Sequence, residues 1–220
     1  MKLALRCGSI FMLAAMLPAL AGAQMGMHAG PAMRGIFNPV VGSGGEYEMT
    51  TDKGKTVMEI SVVGKESVDG KDGYWFEMAI SNASMGQMIS KSLTVLDGQD
   101  TVVSRMIMQM GSRPPMEMPT QMYKANAQKQ SADIRDRADD VGSEAVTTPA
   151  GTFVTEHYKM KDGSGDAWVA PKAGPYGLVK FQGKDSTMVL TKVITDAKDK
   201  ITGTPQPFNP MMFQQNQQHP

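Results

Sequence analysis

Between Gly45 and Gly203 apolar and polar residues alternate with a period of two, and Gly and Asp cut the alternation at short intervals. That pattern constrains the fold more than any other feature of the chain. A period of two sends successive side chains to opposite faces of an extended strand, while Asp-Gly clusters make tight turns, so the segments predict antiparallel strands joined by hairpins. Turns are expected at Asp52-Lys53-Gly54 and Asp69-Gly70-Lys71-Asp72-Gly73. Between them Met58, Ile60 and Val62 share one face; after them Tyr74, Phe76, Met78 and Ile80 do, opposite Trp75, Glu77 and Ala79. Met88 to Leu96 and Thr101 to Met110 flank a further turn at Asp97-Gly98-Gln99-Asp100, which extends the ladder to four or five strands. Ser112-Arg113-Pro114-Pro115 ends it, since proline donates no ladder hydrogen bond.

Thr120 to about Ala138 contains good helix formers and neither Gly nor Pro, with Thr120 available as an N-cap, and predicts one helix. Strands resume at Glu144 to Thr148, Gly151 to Met160, Asp166 to Ala170 and Ser186 to Asp196, with a turn at Gly174-Pro175-Tyr176-Gly177. The expected class is mainly β (α+β): a curved antiparallel sheet or half-open barrel with one helix packed against it.

The ends of the chain read differently. Lys2 and Arg6, the apolar run Ile10 to Leu17 and the small-x-small Ala21-Gly22-Ala23 have the layout of a cleavable export signal over residues 1–23. The run is far shorter than the ~20 residues a membrane span needs. Cleavage would remove Cys7 and leave a cysteine-free chain starting at Gln24, with 20 cations against 22 anions, a net charge of −2. Such a chain has neither the disulfide framework nor the basic surface for nucleic acid, and its stability must come from an apolar core. Residues 24–44, rich in Met and Gly, read as a flexible arm, 45–203 as a single β-rich domain, and 204–220, rich in Pro and Gln and uncharged, as a disordered tail. The expected location is the periplasm or the exterior.

One succession of turns and strands carries a resemblance: Thr148-Pro149-Ala150-Gly151-Thr152-Phe153, Asp166-Ala167-Trp168-Val169, Gly177-Leu178-Val179-Lys180 and Thr187-Met188-Val189-Leu190. It resembles uncharacterised exported bacterial proteins in which a PAGTF hairpin precedes a D-x-W strand and a GLVK turn. These are similar in layout to the periplasmic lipoprotein carriers of the LolA/LolB type. The resemblance covers roughly Val146 to Ile194 and implies a half-open β-barrel that holds acyl chains.

Methionine is the most unusual component, 21 of 220 residues. Met106, Met108 and Met110 alternate along one strand, Met116, Met118 and Met122 follow, and Met25, Met27 and His28 lie together in the arm. Three readings compete. Flexible thioethers fill irregular cores, they line sites for apolar ligands, and they bind soft ions such as Cu(I). The second gives a candidate ligand face of Phe76, Met78, Met106 and Met108; the third gives a candidate metal site at Met25, Met27 and His28. His157, in a strand beside Glu156, reads as structural or exposed. Asp162-Gly163-Ser164-Gly165-Asp166 lacks the oxygen spacing and terminal Glu of a calcium loop, and no phosphate loop, dinucleotide fingerprint or nucleophile elbow occurs. The expectation is a non-catalytic exported protein without a cofactor, which binds a hydrophobic small molecule or lipid. The alternatives are copper handling and an envelope structural protein that docks a protein partner through its Pro/Gln tail.

Overall fold

The computed structural model describes residues 39–82, 86–97, 100–124 and 134–209. They form one mixed, mainly antiparallel sheet of twelve strands. The strands are β1 (Gly44–Thr51), β2 (Gly54–Val68), β3 (Lys71–Asn82), β4 (Gly86–Asp97), β5 (Asp100–Met110), β6 (Met116–Glu117), β7 (Ala138–Thr148), β8 (Gly151–Met160), β9 (Gly165–Val169), β10 (Leu178–Gly183), β11 (Ser186–Ile194) and β12 (Gln206–Pro207). Their spatial order is β12-β6-β5-β4-β3-β2-β1-β11-β10-β9-β8-β7, so the sheet is an open one with edges at β12 and β7. Two meanders, β2 to β6 and β7 to β11, meet at β1, which pairs with β2 on one side and β11 on the other. The expected fold class holds, with the sheet not closed into a barrel.

The described turns fall where Gly and Asp placed them, while Gly98 and Gln99 of the turn expected at Asp97 to Asp100 lie outside the described residues. Asp69 at φ 51° and Gly70 at φ 77° take the left-handed backbone that reverses β2 into β3, a conformation most other side chains resist. Five strand pairings contain a register shift, and each such bulge bends its strand. The sheet therefore curls. Although β2, β1 and β11 stand between β3 and β10, Tyr176 in the turn before β10 lies 5.3 Å from Phe76 of β3.

Three details differ from the sequence reading. Of the expected helix, Thr120–Lys124 forms α1, residues 125–133 lie outside the described residues, and Ile134–Asp136 is a 3-10 turn. The strand expected from Glu144 starts earlier, at Ala138, because Asp139 and Asp140 continue the pairing with β8 and are not turn residues. Leu178 to Lys180 begins β10, with the turn completed at Gly177. In addition, Gln206 and Pro207 pair in parallel with Met116 and Glu117.

The largest core cluster lies under β1, β2 and β8 to β11. It includes Tyr47, Met58, Ile60, Tyr158, Val169, Leu178, Met188 and Leu190, and Ile134 and Ala138 close over it. Tyr47 is buried, with its hydroxyl donating to the Leu178 carbonyl at 3.3 Å, and burial pushes its phenol pKa upward. A second cluster lies on the opposite face of β3 to β5, where Trp75, Ala79, Ile89, Leu93 and Ile107 receive Ile201. The chain reaches that position as a strap after β11. The Lys200 backbone N–H donates to the Glu77 carboxylate at 3.0 Å, Lys200 Nζ pairs with Glu59, and Lys91 pairs with Asp199. Among the described residues no helix is long and apolar enough to cross a membrane.

Candidate binding face

Register decides which side chains become neighbours across a sheet, and here it builds three rows on the face opposite the strap. Val62, Phe76, Ser92 and Met106 form the first. Ile60, Met78, Ser90, Met108 and Met116 form the second, and Met58, Ile80, Met88 and Met110 the third. All four residues of the candidate ligand face, Phe76, Met78, Met106 and Met108, therefore share one sheet face. β4 lies between them and divides them into two ridges, Phe76 and Met78 on β3 and Met106 and Met108 on β5.

The floor between the ridges is polar. On this face β4 presents Met88, Ser90, Ser92 and Thr94, while its apolar residues Ile89, Leu93 and Val95 point to the strap side. Adjacent strands are about 4.8 Å apart, so the ridges stand about 10 Å apart. With van der Waals contacts of about 4 Å to either side, that width admits one file of carbon atoms. Ser90 and Ser92 are half-buried, as are Met78 and Met108. Phe76 is buried against Tyr176, and Met106 is buried with Met118 and Tyr123. Tyr123 of α1 is fixed over β5 by its hydroxyl, which donates to the Ser104 carbonyl at 2.8 Å.

A cavity lies elsewhere. A groove of about 430 Å³ lies at the β6 and β12 end, lined by Met118, Pro119, Thr120, Pro205, Pro207 and Phe208. Met118 and Phe208 also touch the cluster around Met106, so the groove is on the far side of the β5 ridge from the serine strip.

Sequence reasoning missed Ser90, Ser92, Thr94 and Tyr176. The signal was present in Ser90 to Val95, where a hydroxyl residue takes every second position, but only the register shows that the hydroxyls fall between two apolar ridges. His157 also has more company than the sequence suggested. Its ring stacks on Trp168 at 4.4 Å, Nε2 lies 2.9 Å from Asp166 and Nδ1 lies 3.4 Å from Glu144. Glu144 accepts from the Trp168 indole as well, and Lys180 lies 4.6 Å above the Trp168 ring. These groups stack on and hydrogen-bond to one another, while the Glu144 carboxylate keeps about half of its side chain exposed at 52%. Met25, Met27 and His28 lie outside the described residues, and among the described ones no group of three His, Cys, Asp or Glu is placed to hold a metal ion.

Comparison with known proteins gives distant alignments. No family model matches the chain, and neither does any curated protein. Several solved structures align with it, among them the following three. A candidate exported protein of YmcC-like fold from Bacteroides fragilis shares 17% identity over 71% of this chain and 97% of its own, with a TM-score of 0.36. A candidate lipoprotein from Parabacteroides distasonis shares 15% identity over 72% of this chain and 97% of its own, at 0.36. MucB shares 12% identity over 81% of this chain and 61% of its own, at 0.35. Lipoprotein carriers of the LolA/LolB type are not among these three.

Proposed function

We propose that the protein is an exported, non-catalytic binding domain for an apolar chain of the lipid or acyl type, which lies along the Ser90, Ser92 and Thr94 strip between the Phe76/Met78 and Met106/Met108 ridges. One observation carries this reading. Two cross-strand apolar rows are interrupted on the same strand by serine, so small hydroxyl side chains stand where a structural core would have placed branched ones. Methionine walls suit the task because unbranched thioethers adapt to ligands of different shape. Export rests on the signal-like residues 1–23. Native mass spectrometry of the protein purified from a periplasmic extract should find co-purifying lipid, and Ser90→Leu with Ser92→Leu should abolish it while the protein stays folded. Repeated absence of lipid from the wild-type protein would sink the proposal.

A second reading, Cu(I) handling through Met25, Met27 and His28, gains some support from two cross-strand methionine pairs, Met88 with Met110 and Met108 with Met116. Anaerobic Cu(I) titration of the protein with and without residues 24–44 tests it. Binding no tighter than that of a methionine-poor control removes it.

A further inference from the structure

The two edges of the sheet are guarded unequally. The β12 edge is two residues long and contains Pro207. The β7 edge is eleven residues long, contains no Lys, Arg or Pro, and is exposed from Asp139 through Ala145. Among the described residues no strand pairs with its outer side. A long uncovered edge is a template for an added strand, and proteins that avoid such pairing usually place Lys or Pro along it. Exposed Val141 (56%) and Val154 (79%) lie at or one strand inside this edge.

We infer that β7 receives an extended, basic peptide segment of a protein partner by antiparallel strand addition. Charge selects the occupant. Asp139, Asp140 and Glu144 are the charged residues of β7, so pairing two copies of β7 would bring six carboxylates and no cation onto one ribbon. Register then gives the spacing. Asp139 pairs with Lys159, Gly142 with His157 and Glu144 with Thr155, and the shift between Asp140 and Gly142 makes Val141 the extra residue. Asp139 and Glu144 consequently lie on one face, two strand repeats apart. An unbulged antiparallel partner meets them with cations four residues apart. The position before the first cation falls opposite Ala145, whose small side chain leaves Val154 open to a large apolar residue. The motif is apolar-Lys-x-x-x-Lys. The nearest internal cation, Lys161, is 3.9 Å from Asp139 in a pair exposed on both sides, so a partner's lysine can compete for that carboxylate.

The test uses the full exported chain and the peptide TLKVTVKT, with TLEVTVET as its control. Fluorescence anisotropy should show at least ten-fold preference for the basic peptide, weakening with added salt, and hydrogen exchange should show new protection within residues 138–148. Asp139→Lys should weaken binding at least five-fold, and the swapped peptide TLKVTVET should restore it. Equal binding of the two peptides, protection confined to other strands, or no rescue overturns the inference. So does protection of the β7 amides in the free protein, with size-exclusion chromatography over a concentration series assigning the cover to a second copy or to the chain itself. The lipid reading is independent of this result.

Discussion

The β3 to β5 ladder presents two unlike faces. On the strap side Trp75, Ile89, Leu93 and Ile107 close around Ile201, and three polar contacts frame them: Trp75 Nε1 donates to Glu66 at 2.9 Å, Lys91 meets Asp199, and Glu77 accepts from Lys200. On the methionine side the same three strands offer pliable side chains around a hydroxyl floor. One sheet thus separates its duties. Branched and aromatic groups interlock on one side of these strands, and thioethers stand beside serines on the other.

That contrast can be broken most sharply at the strap. Ile201→Ala should destabilise the protein by about 2–4 kcal/mol, the usual cost of emptying a filled core position, as a lowered midpoint in urea unfolding. A loss below about 1 kcal/mol would mean that the strap is not part of the cooperative core.

Glu77 gives the next largest effect. Burial, and then the neighbouring Asp199 carboxylate, outweigh the Lys200 N–H and raise its pKa from 4.5 to about 7. Because the fold favours the protonated carboxyl, its contribution is fully present below about pH 4.5 and is lost as the pH rises through 7. The fall should be about 1–3 kcal/mol in unfolding free energy. Glu77→Gln should flatten that part of the profile; an unchanged slope in the variant would assign the titration to another group.

On the methionine face the expected change is small in stability and large in binding. Ser92→Leu adds apolar volume to a half-open strip, so unfolding should shift by less than about 1.5 kcal/mol while lipid retention in native mass spectrometry disappears. A stability loss as large as that of Ile201→Ala would show the strip to be tightly packed and the two faces alike. Smallest of all, Val154→Thr, on an exposed strand face, should alter unfolding by no more than about 0.5 kcal/mol in the same urea assay.

Much of the ladder was legible because its signals are local. Alternation over Val57 to Val63 and Tyr74 to Ile80 fixed the faces, and Asp52 to Gly54 and Asp69 to Gly73 fixed the turns. What was not legible depends on partners distant in sequence. Asp139 and Asp140 carry turn chemistry locally but are held in a strand by Lys159 and Tyr158. Nothing near Ile201 reveals that it plugs a core built by β3, β4 and β5, and Glu77 looks like an ordinary solvent-facing strand residue until the strap covers it. The candidate ligand residues were found by type. Their division into two ridges came from register, which a single chain's periodicity leaves open.

The position of β1 has a consequence for the order in which the chain assembles. The two meanders need only neighbouring segments, but β1, first of the described strands, completes its pairing with β11, and Thr191 Oγ1 reaches the Glu46 carbonyl across 145 residues. Closing so long a loop is slower than zipping hairpins, and it cannot begin until nearly all of the described chain is available. The seam between β1 and β11 should therefore be the last to gain amide protection in pulsed hydrogen exchange during refolding, after the β2 to β5 hairpins. A chain that reaches its compartment unfolded and from its N-terminus would keep its central strand waiting for its last long one, and the half-formed sheet would expose the edges of β2 and β11 in the interval.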